Sequence, residues 1–409
     1  MSMDRKFSDE VIGLGAVYVR VPSSDELVEK LKGDKEFLEA VRGDLVKKVE
    51  ELEERVKALE PEPSKEIQDL SRWTGVPATE LMRKSPEELE KIAPFVLEVE
   101  ATGKPIELKI EPTDLDGYVP QGEGVATLNG KPINEVEAVA GDMLELVIPA
   151  GFHSVKDIFK GFKAKRLVLM SRAMLEYVKR SHFDDTLNII YNTITDVCSS
   201  TFRYASSDWI YNFTFSNCSN LTAIPEGLFS GVQGSAGSMF YYTFSNCSSL
   251  TAIPEGLFSG VQGNADHLFF NTFYGCSSLK AIPEGLFSGV QGSAGSMFYY
   301  TFSNCSSLTA IPEGLFSGVQ GGAEMMFLGT FSSCSSLTAI PEGLFSGVQG
   351  NANSLFHSTF AYCTSLKGET PRIDGKKLWM IYDGWYVGRD CFLDCIGLSD
   401  YNEIPDDWK

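Results

Sequence analysis

Nine cysteines and four histidines carry most of the latent chemistry of this chain, and their spacing decides what that chemistry is. Six of the cysteines, Cys218, Cys247, Cys276, Cys305, Cys334 and Cys363, recur every 29 residues, while Cys391 and Cys395 lie four apart near the C-terminus. A zinc site needs closely spaced Cys or His pairs, but there is no Cys-x-x-Cys, and His153, His182, His267 and His357 are scattered. Side chains repeated one per unit all point the same way, which is poor disulfide geometry. The six are read as a column of buried free thiols acting as small hydrophobes. No Ser/His/Asp or paired-carboxylate motif is framed, and no Gly-rich turn opens a helix with a phosphate-binding Lys. No enzyme, metal or cofactor is expected.

The element that positions these cysteines is a sentence written five times, Cys-Ser-Ser-Leu-Thr-Ala-Ile-Pro-Glu-Gly-Leu-Phe-Ser-Gly-Val-Gln-Gly in its commonest form, with a sixth copy that fails after Leu366. A fixed period of this size marks a stacked array, because one unit cannot bury its apolar face alone. Ser-Leu-Thr-Ala-Ile reads as a short parallel strand and Glu-Gly-Leu-Phe-Ser-Gly as a tight helical turn. Met239 to Cys247 reads as a helix or arch returning to the next strand. The 29 residues from Ser235 match those from Ser293 without a change, as recent duplication would leave them.

The units differ in the arm before each cysteine. An apolar slot persists there as Ile210, Met239, Leu268, Met297, Met326 and Leu355, while the outward slots change. A constant core under a varying exterior suits recognition, and exposed aromatics offer large contact area at low entropy cost. The candidate ligand-binding residues are therefore Trp209, Asn212, Tyr241, Tyr242, His267, Asn271, Tyr299, Tyr300, Glu324 and His357. Drift at unconstrained surface positions is the competing explanation.

Ahead of the repeats the chain is modular. Residues 1–23 hold a Gly-rich apolar stretch, read as an anchor segment that pairs with or docks into a partner; a disordered tail is the alternative. Residues 24–62 read as helix, and Leu45, Val49, Leu52, Val56 and Leu59 alternate four and three, a heptad seam for oligomerisation through 38–60 as a dimer or trimer. An intrachain helical hairpin fits the same spacing. Residues 63–94 form a small helical module around Trp73, Leu81, Leu89 and Ile92, with Pro86 opening its last helix. Alternation over 95–149 predicts a small β module with a hairpin at Asn129-Gly130. Residues 150–205 read as degenerate lead-in turns to the array, since Phe159-Lys-Gly-Phe162 mimics its Phe-x-x-Cys step, with a helix near 173–181. The repeats occupy 206–367 and a cap 368–409.

Net charge is -20, which opposes nucleic-acid or anionic-membrane binding, and no apolar run is long enough to span a bilayer. The N-terminus lacks a basic leader region, so ordinary secretion is not expected.

The pattern Phe-x-x-Cys-Ser-Ser-Leu-Thr-Ala-Ile-Pro resembles the BspA-like leucine-rich repeats of bacterial surface proteins, over about 206–367 and more loosely 148–409. The family's usual unit is nearer 23 residues; the extra length here lies in Glu-Gly-Leu-Phe-Ser-Gly-Val-Gln-Gly. The ending, with Cys391-Phe-Leu-Asp-Cys395-Ile-Gly-Leu, looks like the cap of such proteins from phages and mobile elements of gut Bacteroidales. The resemblance implies an α+β modular chain ending in a leucine-rich-repeat solenoid, and adhesion or receptor recognition as its role. The expectation is a virion-surface fibre that attaches to a host-surface glycan or protein and is anchored to a virion protein by its N-terminal segment. A bacterial cell-surface adhesin is the alternative.

Overall fold

The computed structural model describes residues 39, 42–51, 61–113, 124–154, 161–180, 194–198, 201–203, 210–382, 384 and 386–409. The chain divides into two compact units, Met1–Ser64 and Lys65–Lys409. In the first, residues 42–51 are helical and Leu45 and Val49 stand exposed on that helix. Leu52, Val56 and Leu59 of the expected seam lie outside the described residues, as does the expected anchor 1–23.

The second unit begins with three short helices, α1 (Lys65–Thr74), α2 (Ala78–Leu81) and α3 (Pro86–Ile92). Ser85 caps α3 through a reciprocal box: its hydroxyl accepts from the Glu88 N–H, and its own N–H donates to the Glu88 carboxylate. With Pro86 at the first position, that pair fixes where the helix starts.

The strands follow: β1 (Phe95–Ala101), β2 (Ile110–Pro112), β3 (Thr127–Leu128), β4 (Lys131–Pro132), β5 (Met143–Ile148), β6 (Phe152–Ser154), β7 (Phe162–Leu169) and β8 (Asp196–Val197). Helix α4 (Arg172–Arg180) lies between the last two. Six strands form one mixed sheet in the order β4-β3-β5-β1-β7-β8, with β7 and β8 parallel and the other neighbours antiparallel. Asn129 and Gly130, both at positive φ, turn the β3–β4 hairpin. Along β1 the faces separate by alternation. Val96, with Val147 and Leu169, packs on Leu70 and Leu81 of the helices, whereas Leu97 and Val99 join the core that runs on into the repeats. Of the core expected for the helical module, Leu81 is fully buried, and Trp73, Leu89 and Ile92 pack partly buried at its margin.

Residues 150–205 differ from their reading as lead-in turns. Strand β7 pairs with Val96–Ala101 of β1 and β8 adds to its far side, so the described part of this segment contributes two strands to the main sheet. The Phe162 that mimicked a repeat step instead begins β7, opposite Ala101.

The expected fold class is corrected. The secondary structure is that of a mixed α+β protein with one six-stranded mixed sheet and few helices, and no leucine-rich-repeat solenoid is identified in it. Between residues 210 and 371 there is neither a strand nor a helix; turns and isolated bridges occupy the whole stretch. The reason lies in the hydrogen bonds. Around Leu-Thr-Ala-Ile most units give their predecessor a single backbone bond, such as Thr251 N–H to Thr222 C=O at 3.2 Å and Lys280 N–H to Thr251 C=O at 3.3 Å. One bond does not make a ladder.

The units are joined mainly through the arm. Ser238, Phe240, Tyr242, Phe244 and Asn246 donate N–H bonds of 2.6–3.0 Å to Asp266, Leu268, Phe270, Thr272 and Tyr274 of the next unit. The residues between them, Met239, Tyr241, Thr243, Ser245 and Cys247, each close a turn back onto the carbonyl three positions earlier. Every fourth residue, Ser238, Tyr242 and Asn246, takes a left-handed backbone. This four-residue spiral puts Met239, Phe240, Thr243, Phe244 and Cys247 inside and Tyr241 and Tyr242 outward. Left-handed backbone costs a non-glycine residue about 1–2 kcal/mol; the bond that each such N–H makes to the next unit offsets that strain.

Inside, identical residues stack into columns. Phe244, Phe273 and Phe302 lie 5.5 Å apart with planes within 4° of parallel, and Phe240, Phe269 and Phe298 repeat at 5.7 Å. A third column runs through Phe258, Phe287 and Phe316. Neighbouring units pass close at Gly260, Gly289, Gly318 and Gly347: a Cβ there would sit 1.8–2.2 Å from a valine carbonyl oxygen of the preceding unit. Beyond the repeats, β9 (Arg372–Ile373) and β10 (Lys376–Lys377) form a small hairpin, followed by α5 (Leu378–Ile381). Phe392 then stacks 5.8 Å from Phe360, and Trp408 lies over Phe392.

Candidate functional site

The thiol column is structural. Each repeat cysteine from Cys247 to Cys363 is a buried free thiol. Each donates to the carbonyl of a phenylalanine in the preceding unit, at 3.0–3.3 Å. The buried threonines do the same with oxygen: Thr272 Oγ1 reaches the Phe240 carbonyl and Thr301 Oγ1 the Phe269 carbonyl, both at 2.8 Å. Burial raises the Cys276 and Cys305 thiols well above their ordinary range and puts Cys334 at about 12. A nucleophilic or metal-binding thiol needs the opposite shift. Among the described residues no group of three or more His, Cys, Asp or Glu side chains is placed to hold a metal ion.

The outward arm is where the units differ, and there the structure brings part of the expected set together. Tyr241 stacks on Phe270 at 4.6 Å and Phe270 on Tyr299 at 4.2 Å, with planes 20° and 5° apart. Tyr242 packs against Tyr241 at 4.7 Å and Tyr300 against Tyr299 at 4.8 Å. Phe213 extends the cluster, stacking on Tyr242 at 5.1 Å. Six rings thus form one half-buried aromatic ladder across four units, of which Phe213 and Phe270 were missing from the candidate residues. They occupy the same outward slots as the tyrosines, so the signal was present; weighting phenols and amides over plain rings hid it.

Burial, with smaller contributions from neighbouring phenols, raises the pKa of Tyr241, Tyr299 and Tyr300. These phenols are therefore neutral O–H groups at physiological pH. No Lys or Arg occurs in the arm segments 210–218, 237–247, 266–276, 295–305, 324–334 and 353–363. The acids there are Asp266, whose carboxylate accepts from the Gly295 N–H at 2.7 Å, and Glu324, which takes a 3.3 Å bond from the Asn353 amide.

The remaining candidates scatter. Asn271 is only 6% exposed, and its Oδ1, like that of Asn212, is buried without a hydrogen-bond partner. His267 lies 5.6 Å from the Phe270 ring, on the flank of the ladder. Glu324 belongs to a different row of the arm. His357 sits at the cap, 3.9 Å from Asp390; burial lowers its pKa, with Asp390 pulling it up and Arg389 down. Trp209 lies outside the described residues.

Two clefts lie at the sheet instead of on the arm. One of about 780 Å³ is bordered by Glu100, Thr102, Lys104 and Lys163. A smaller one of about 360 Å³ lies beside Arg72, Trp73, Glu145 and Arg166. One acid at each is paired: Lys165 holds Glu100 at 2.7 Å, and Arg72 binds Glu145.

Among the described residues no helix is long and apolar enough to cross a membrane. Comparison of the chain with family models, with curated proteins and with solved structures gives no match.

Proposed function

We propose that the chain is a non-enzymatic attachment protein displayed on a virion, whose stacked repeats present the aromatic arm to a ligand on the host-cell surface. The observation that carries this reading is the contrast within each unit: the inward slots repeat almost unchanged, while the outward slots vary and gather six rings on one face. A scaffold that holds its core and changes its exterior is suited to recognition. The BspA-like pattern and the phage-like cap motif of the sequence support the same role. The helix with exposed Leu45 and Val49 would join copies, and the N-terminal segment would dock on the particle. Several weak sites per chain and several chains per particle then bind by avidity.

Fluorescently labelled full chain should stain intact gut Bacteroidales cells in flow cytometry. Replacing Tyr241, Tyr242, Tyr299 and Tyr300 together by Ala should reduce staining at least tenfold. Undiminished staining by that variant removes the arm as the binding face, and virions that an antibody to residues 210–409 fails to label exclude display on the particle.

A further inference from the structure

Within the aromatic ladder one ring is held differently from the others. A Cβ added to Gly329 would lie 2.4, 2.6 and 2.7 Å from Cε1, Cδ1 and Cζ of Tyr300. Three adjacent ring carbons at nearly equal short distances mean that the position faces the ring rather than its edge. Tyr300 therefore lies flat on the Gly329 backbone, a pose that any other residue at 329 would block, and the ring is half-buried. In the same row one unit earlier stands Asn271, nine-tenths buried, with an amide oxygen that no donor satisfies. A flat-lying ring and a buried unsatisfied acceptor thus occupy the same position in successive units of an arm that carries no Lys or Arg.

We propose that Tyr300, seated on Gly329, and Asn271 form a subsite for one ring of an uncharged polysaccharide; this rests on the attachment reading above and names its ligand class. An aromatic face is electron-rich and takes the polarised C–H bonds of a sugar ring, while a buried amide oxygen takes one hydroxyl. The amide oxygen is closed to solvent, so a hydroxyl reaches it as the half-buried side chains around it shift. An acidic glycan is disfavoured because the arm supplies no cation to pair with it and the chain carries a net charge of -20. A cationic ligand is disfavoured at Asn271 because a buried charge needs a carboxylate partner, and Asp266 and Glu324 stand in other rows, each already hydrogen-bonded.

Affinity electrophoresis of the full chain through gels containing dextran, mannan or galactan, with alginate, heparin and polylysine as charged comparisons, tests this directly. Retardation by at least one neutral polysaccharide is expected. Tyr300→Ala should weaken it at least tenfold, Tyr300→Phe by less than twofold because the ring face remains, and Asn271→Leu by roughly five- to tenfold. Asn271 takes a left-handed backbone, so Asn271→Leu removes an unsatisfied polar group but adds backbone strain; its Tm is measured alongside, and retardation lost by more than the Tm change accounts for separates lost binding from lost structure. Retardation only by a charged polymer, by none of the six, or equally in Tyr300→Ala and the parent overturns the subsite. Cell staining that depends on the four tyrosines, without any retardation by neutral polysaccharide, would leave the attachment reading standing and remove the sugar. Absence of staining as well would remove both.

Discussion

The six-stranded sheet and the stacked repeats share one continuous apolar core but reach order by opposite routes. In the sheet, β1 bonds to β5 and β7 along its whole length, and its two faces serve different partners, so each side chain answers to residues far away in the sequence. In the repeats each unit bonds only to its neighbours, and like packs on like. A regular ladder constrains the first through backbone geometry. The second tolerates left-handed residues as bulky as Tyr242 and Tyr300, because bonds between units hold them there. Cooperative folding of a stack built this way depends on nearest-neighbour terms.

The largest expected effect separates the two regions. Phe273→Ala should cost about 3–5 kcal/mol and Leu146→Ala about 2–5 kcal/mol in chemical denaturation. Hydrogen exchange should rise within residues 240–305 for the first and along β1 and β5 for the second. Equal acceleration everywhere in both variants would show that the regions open as one. In the cap, Lys377, 2% exposed, binds both Asp400 and Glu369, and Asp400 also accepts from Thr370. Lys377→Met should therefore cost about 3–5 kcal/mol, since it strands a buried carboxylate. Burial works to raise the Asp400 pKa, but the Lys377 and Thr370 bonds outweigh it and hold it below the ordinary 3.8. That contribution is present above pH 3.8 and fades as pH falls through the lowered value; thermal melts of Asp400→Asn against the parent from pH 7 to 2 should converge at the acid end.

The repeats should respond to alkali through their thiols. With Cys334 at about 12 when folded against an ordinary 9, its stabilising contribution is complete below pH 9 and declines by about 1.4 kcal/mol per pH unit up to 12. Urea midpoints should fall less steeply above pH 9 in Cys334→Ala than in the parent. A smaller change, Thr272→Val, removes the hydroxyl bond to Phe240 while that carbonyl keeps the Thr243 N–H, and should cost about 1 kcal/mol. The smallest effect belongs to the outer face: Tyr242→Ser should alter stability by no more than about 0.5–1 kcal/mol. A loss of 3 kcal/mol there would make the ladder a structural feature.

What the sequence disclosed follows the same division. Ser85, Pro86 and Glu88 announced a helix start, and Asn129-Gly130 announced a hairpin, because both are local chemistry that any context would respect. The buried slots at Met239, Leu268, Met297, Met326 and Leu355 were likewise legible from the period alone. Strand β7 was missed because its first residue, Phe162, imitates a repeat step, and only its partner β1 decides the matter. Leu-Thr-Ala-Ile has the composition of a strand but lacks the ladder, which composition cannot reveal. The arm pattern, with apolar pairs four residues apart, lies close to helical spacing; the left-handed residues that break the helix include Phe213, Ser238, Tyr242 and Tyr300, which do not advertise that conformation, alongside Asn246, Asn271 and Gly329, which do. Within the candidate site, the tyrosine pairs could be named in advance, whereas the flat seat of Tyr300 on Gly329 depends on a neighbouring unit.

The backbone bonds of the arm all run one way, with N–H groups of each unit pointing at carbonyls of the unit after it. After the last full arm, Phe356, Ser358, Phe360 and Tyr362 give their N–H groups to Val387, Arg389, Cys391 and Leu393, and Asp390 and Phe392 give theirs to Asp407 and Trp408. The C-terminal residues thereby absorb a directional growth face. Cut away, they would leave the N–H groups of Phe356, Ser358, Phe360 and Tyr362 without these partners, and an unpaired buried backbone donor is costly. Residues 387–408 take up the donors that an otherwise repeating pattern would pass to a further unit.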